Sequence, residues 1–204
     1  MKVPEHIAFS FLLAQLGVQQ EYSWPATSLV IAAGCLPDLD GIGIVAGWRF
    51  YRRYHRILGH GLPMTILGPL ILAGVGCLLS NLPFFPIWCW LQLSLLCHLL
   101  TDVSFYNWPV QLLWPISRRG WAFGLLSWND LVPTLLLYGG VATVLVWPGQ
   151  GPWISLTILL GLLAYLYWRS KRREPSGRIE EWLAGGWAGG TPRFYRWLTG
   201  DFVT

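Results

Sequence analysis

Residues 62–102 read LPMTILGPLILAGVGCLLSNLPFFPIWCWLQLSLLCHLLTD, and within them no Asp, Glu, Lys or Arg occurs before Asp102. A bilayer core of about 30 Å is crossed by roughly 20 apolar residues in helical conformation. The stretch therefore holds two spans, 62–80 and 84–101, joined on the far side of the membrane by residues 80–83. That hairpin sets the fold class. Beyond it, 131–147 and 152–168 are two further apolar runs of nearly sufficient length. Runs 6–18 and 24–36 are shorter still. At about 1.5 Å per residue they fall short of a full crossing, so they are either short spans in a thinned bilayer or a re-entrant pair. As an antiparallel pair they return the chain to its starting side and leave the parity of later spans unchanged.

Composition agrees with the spans. The 204 residues are 54% hydrophobic and only 12% charged, with 14 Trp, and the mean hydropathy is +0.46. A soluble domain carries about 25% charged residues. The predicted fold is all-α: a polytopic transmembrane helical bundle of about six helical segments over residues 1–168, followed by a basic, Trp-rich tail over 169–204. Pro175 and the glycines after it disfavour a long helix in the tail. Its Trp182, Trp187, Tyr195 and Trp197 suit a headgroup region; the tail is read as disordered or lying at the interface, with a lid over the site as the alternative. Cys35, Cys77, Cys89 and Cys97 form no CxxC pair and lie in apolar runs. They read as small buried hydrophobes, not as a disulfide framework or a metal site. Glu5, His6 and Gln15 interrupt the first apolar run, so a retained first helix is expected rather than a cleaved signal peptide.

The net charge of +4 does not point to nucleic acid, because the basic residues cluster beside apolar runs: Arg49–Arg56, Arg118 with Arg119, and Arg169–Arg173. Cytoplasmic loops carry the excess of Lys and Arg. Starting the 62–80 span from the cytoplasm places all three clusters inside, which predicts an N-in, C-in topology. The same topology gathers the scarce ionisable residues. Between Tyr22 and Trp168 the acids are Asp38, Asp40, Asp102 and Asp130, and the chain has four histidines, His6, His55, His60 and His98. All eight fall at one membrane depth, on the cytoplasmic side.

Ionisable groups at membrane depth are costly and mark function by default. His98 and Asp102 are four residues apart and share one helix face. Taken alone, they are also explained as a neutral histidine bonded to a carboxylate. Asp38 and Asp40, in LPDLD, either end a helix in a turn or offer two hard oxygen donors from an extended or turn segment. His55 and His60 cannot share a helix face, since five residues turn a helix by about 140°. Gly59 and Gly61 instead allow a bent loop in which the two rings converge. Arg56 either fixes orientation or clamps a phosphate bidentately. Asp130 is either a donor or the N-cap of the helix that follows it. As a set, His6, Asp38, Asp40, His55, His60, His98, Asp102 and Asp130 are candidate metal ligands. Mixed His and Asp donors suit zinc, manganese or iron, and eight donors would serve two or more ions. Asp40, His60 and Arg56 are the candidate catalytic residues.

These motifs resemble, in order, a family of membrane-bound metal-dependent hydrolases typified by the LexA-regulated inner-membrane protein YdjM. The resemblance runs through His6 in EHIAFS, LPDLD at 36–40, HRILGH at 55–60, and HLLTD followed by LLWPISRR at 98–119, covering about the first 130 residues. The family's central motif reads HRGxTHS. Here Ile57, Gly59 and Gly61 replace its Gly, Thr and Ser, so the histidine spacing is kept without the hydroxyls. The resemblance implies hydrolysis through a divalent metal, and a more distant likeness to the zinc-dependent phospholipase C and nuclease P1 group favours zinc and a phosphoester or phospholipid at the cytoplasmic leaflet. Two other functions fit the same residues. A metal-ion or solute transporter would need polar residues continuing across the bilayer, and a catalytically silent membrane adaptor would use the cluster structurally. Membrane lipids are the expected partners.

Overall fold

The computed structural model describes residues 2–47, 50–51, 54–105, 109–126 and 130–172. Arg49, Arg52, Arg53 and the tail from Arg173 onward lie outside the described residues. Six α-helices are present among those described: α1 Val3–Ala14, α2 Val18–Cys35, α3 Leu62–Ser80, α4 Phe84–Val103, α5 Leu131–Val146 and α6 Gly151–Lys171. A 3₁₀ segment, Leu36–Ala46, continues α2, and the turn Pro148–Gln150 joins α5 to α6. The described residues contain no strand, only isolated bridges at Phe105–Leu126 and Val110–Trp121. The expected all-α bundle of six segments is the observed fold.

Four helical stretches are long and apolar enough to cross a membrane: Val18–Ala46, Leu62–Ser80, Phe84–Val103 and Pro148–Lys171. Val3–Ala14 and Leu131–Val146 are shorter. Two expectations change here. The second segment starts at Val18 instead of 24, because Gln19, Gln20 and Glu21 are polar but still good helix formers. Residue 24 marks a kink: Pro25 has no amide to bond into the preceding turn, and Ser23 leaves the helix at φ 59°, ψ −158°. The 131–147 run, expected among the long spans, is a helix of 16 residues, about 24 Å by helical rise.

Helix α2 packs on α1 and α4, α3 on α4, and α5 on α6 and α1. The surfaces left over are apolar. Ile71, Leu135 and Leu163 are all more than half exposed, an arrangement that is stable where the surrounding solvent is hydrocarbon. The cysteines share this setting: Cys89 is exposed and the other three half-buried, all as free thiols, rather than buried as composition suggested. The start of α3 and α5 and the end of α4 and α6 meet at one end of the bundle. There the segment after α4 folds back over the helix ends: the Ser104 carbonyl accepts from Leu125 N at 2.8 Å and Leu126 N at 3.0 Å. The same end carries Arg118, Arg119, Arg169, Lys171 and Arg172.

Candidate metal centre

The inner face of α4 carries Ser94, His98 and Asp102 at successive four-residue intervals, so all three point into the bundle. Ser94 donates to the Val30 carbonyl at 2.9 Å, and its Oγ lies 3.1 Å from the Ser10 hydroxyl. One turn on, Nδ1 of His98 lies 2.6 Å from the Gly34 carbonyl oxygen. A carbonyl can only accept, so the proton is on Nδ1 and Nε2 offers a lone pair. That lone pair faces Nε2 of His60 at 3.3 Å, Asp102 Oδ2 at 3.7 Å and Asp38 Oδ1 at 3.8 Å.

Asp38, His60, His98 and Asp102 each present one ligand atom, all within 4.8 Å of one another, and could hold a metal ion. Four donors match the coordination number of a tetrahedral zinc site. The polar atoms left over fit that reading. His6 Nε2, Asp38 Oδ2 and His60 Nδ1 are buried and make no hydrogen bond among the described residues. Buried polar atoms are normally satisfied; two of these, His6 Nε2 and Asp38 Oδ2, lie 3.9 Å apart at the cluster and fit an ion binding there, whereas His60 Nδ1 faces Asp40. His6 flanks the group: its ring stacks on His98 at 3.6 Å, and Nε2 lies 3.2 Å from Asp102 Oδ1.

The remaining candidates are placed differently. Asp40 and His55 pair with each other at 2.5 Å beside the cluster. Asp40 sits on a 3₁₀ segment, where an extended or turn segment was expected. Its Oδ2 accepts from Arg56 N at 3.0 Å and Gly59 N at 3.2 Å, and lies 3.4 Å from His60 Nδ1. Arg56, a candidate topology signal or phosphate clamp, is only 1% exposed, with Nη2 3.2 Å from Asp102 Oδ2. Its backbone adopts φ 65°, the left-handed bend that lets HRILGH fold back on itself. Asp130 does not join the cluster. It accepts from Val132 N at 3.2 Å as the N-cap of α5, and from the Tyr165 hydroxyl at 2.9 and 2.8 Å. The local capping preference of Asp at a helix start outweighs any pull toward the site.

The structure shows what Gly59 permits. A Cβ there would lie 2.0 Å from the Pro37 carbonyl and 2.9 Å from Asp40 Oδ2. HRILGH and LPDLD therefore touch backbone to backbone. Leu62 N bonds to Trp114 O at 3.0 Å and Gln111 N to Arg56 O at 3.2 Å, which ties the 109–126 segment to the same loop. For His60, burial disfavours the charged ring, but hydrogen bonds and charge from Asp102 and Asp40 outweigh it and raise the imidazole above its ordinary value.

Gly34 carried no readable sign of a site role in the sequence. An isolated glycine in an apolar helix signals close packing, here against Ser10 and Ser94, whose Oγ atoms would lie 1.9 and 2.7 Å from an added Cβ. Glu5, adjacent to His6, is buried and accepts from Thr134 Oγ1 at 2.7 Å, tying α1 to α5.

A family model described as YdjM inner membrane protein matches residues 1–174, well past the 130 residues that carry the motifs. No curated protein and no solved structure matches this chain.

Proposed function

We propose that this chain, which belongs to the YdjM inner membrane protein family, is an integral-membrane metal-dependent hydrolase of phosphoesters, with phospholipids of the cytoplasmic leaflet as the favoured substrates. The observation that carries the reading is the convergence of Asp38, His60, His98 and Asp102 at one end of an apolar bundle. A divalent ion, with zinc best suited to this donor set, would supply Lewis acidity toward a phosphoryl oxygen and a water nucleophilic at neutral pH. The protein's own residues supply the rest. Gly34 fixes the His98 tautomer, Asp102 shares its charge between Arg56 and the histidines, and His6 stacks against the outer ring. Four donors and a guanidinium already on Asp102 favour one ion over the two or more that eight donors would serve.

The basic residues at the same end as the cluster support a cytoplasmic-facing site. A lipid substrate reaches such a site sideways from the bilayer. The direct test measures metal per chain in the purified full-length protein, and hydrolysis of phospholipid vesicles and of a soluble phosphoester, each with and without a chelator. Bound metal with chelator-sensitive phosphate-ester cleavage is expected. Metal without hydrolysis would favour the transporter or adaptor readings, and absence of metal would end the metal-dependent one.

A further inference from the structure

Resting on the metal-site reading, we infer that Asp40 and His55 are not ligands but a brace that orients His60. Neither belongs to the four residues whose ligand atoms converge, and both oxygens of Asp40 already have partners. Oδ1 is taken by His55 Nδ1 at 2.5 Å. Oδ2 takes the amides of Arg56 and Gly59 at 3.0 and 3.2 Å. His60 Nδ1, buried and without a hydrogen bond, also approaches Oδ2, at 3.4 Å. His60 Nε2 faces the other way, into Asp102 and His98, at 3.2 and 3.3 Å. When Nε2 gives its lone pair to an ion, the ring proton sits on Nδ1, and Asp40 is the acceptor within reach. Carboxylate partners of this kind fix the tautomer and orientation of ligating histidines. His55 in turn holds the other oxygen of Asp40, its ring stacked on Tyr51 at 4.6 Å. His55 is therefore a positioning residue two steps from the ion.

The substitution that separates brace from ligand is His55→Asn, because an Asn amide nitrogen reproduces the Nδ1 donor but not Nε2. Full-length protein in detergent is loaded with Zn2+ alone, ions per chain are counted, and affinity is measured by chelator competition. Size-exclusion elution and thermal unfolding report folding. A brace predicts one ion per chain in the wild type, His55→Asn and His55→Ala. His55→Ala and Asp40→Asn are expected to bind about 10–100-fold more weakly, the range for lost partners of this type, and His55→Asn to recover most of that loss. The proposal is overturned if the wild type binds two ions and His55→Asn one, or if folded His55→Asn binds no better than His55→Ala. A wild type with no ion overturns the metal reading and the brace together, whereas one ion with no rescue overturns the brace alone.

Discussion

The Gly34 carbonyl oxygen and His98 Nδ1 are 2.6 Å apart, so a residue without a side chain sets the protonation of a candidate ligand. This is possible only because α1, α2 and α4 close on Gly34. Gly34→Ala would put a Cβ 1.9 Å from Ser10 Oγ and 2.9 Å from Ser10 Cβ. Overpacking of this kind costs about 1–3 kcal/mol. The variant is expected to melt earlier and bind metal more weakly. Gly74→Ala, where an added Cβ meets nothing within 4 Å, should do neither. Equal behaviour of the two in thermal unfolding and chelator competition would show that the close approach at Gly34 is not needed.

Ligand substitutions should divide by helix face. His60→Ala, His98→Ala and Asp102→Asn each remove one of four converging donors, and metal content should fall to background. Cys97→Ala, adjacent to His98 but about 100° around α4, should retain the wild-type ion. Asp130→Ala should also keep the metal while losing its cap and the Tyr165 bond, at a cost of about 1 kcal/mol for the cap. Loss of metal in Cys97→Ala would contradict the assigned face.

What could be read in advance follows from the range of the interactions involved. The 62–102 hairpin and the His98–Asp102 pair depend on span length and helix period, both local properties of sequence. The N-cap of α5 was equally local, so Asp130 had its structural role written beside it. The roles of Asp40, His55 and Arg56 depend on how HRILGH packs against LPDLD, more than a dozen residues away, through backbone amides and a left-handed Arg56. Residue types alone place these groups in the neighbourhood of the site but do not say which atoms face its centre.

Arg56 tests the buried charge balance. Its guanidinium lies 3.2 Å from Asp102 Oδ2 with both side chains almost wholly buried. Removing one partner of a buried pair strands the other and costs about 3–5 kcal/mol. Arg56→Ala should therefore unfold well below the wild type in metal-free thermal melts. Arg56→Lys keeps the charge without the planar fork and should fall between the two. If Arg56→Ala is as stable as the wild type, Asp102 does not depend on that charge.

Sidedness decides which substrates and which metal pool the cluster meets. Arg118 and Arg172 are exposed at the cluster's end of the bundle, while Asn81, at the C-cap of α3, and Gly149, between α5 and α6, are exposed at the opposite end. With the four native cysteines replaced, a single cysteine at each position reports its side through an impermeant thiol reagent. The excess of basic residues predicts that Arg118→Cys and Arg172→Cys react only when the cytoplasmic face is opened, and Asn81→Cys and Gly149→Cys from outside. Because the helices alternate in direction, the two pairs must give opposite answers in either orientation. Agreement between the pairs would therefore contradict the bundle itself. Reversal of both would keep the bundle and the cluster but invert the protein. The proposed hydrolase would then face the periplasmic leaflet, and its substrates and metal would come from that side.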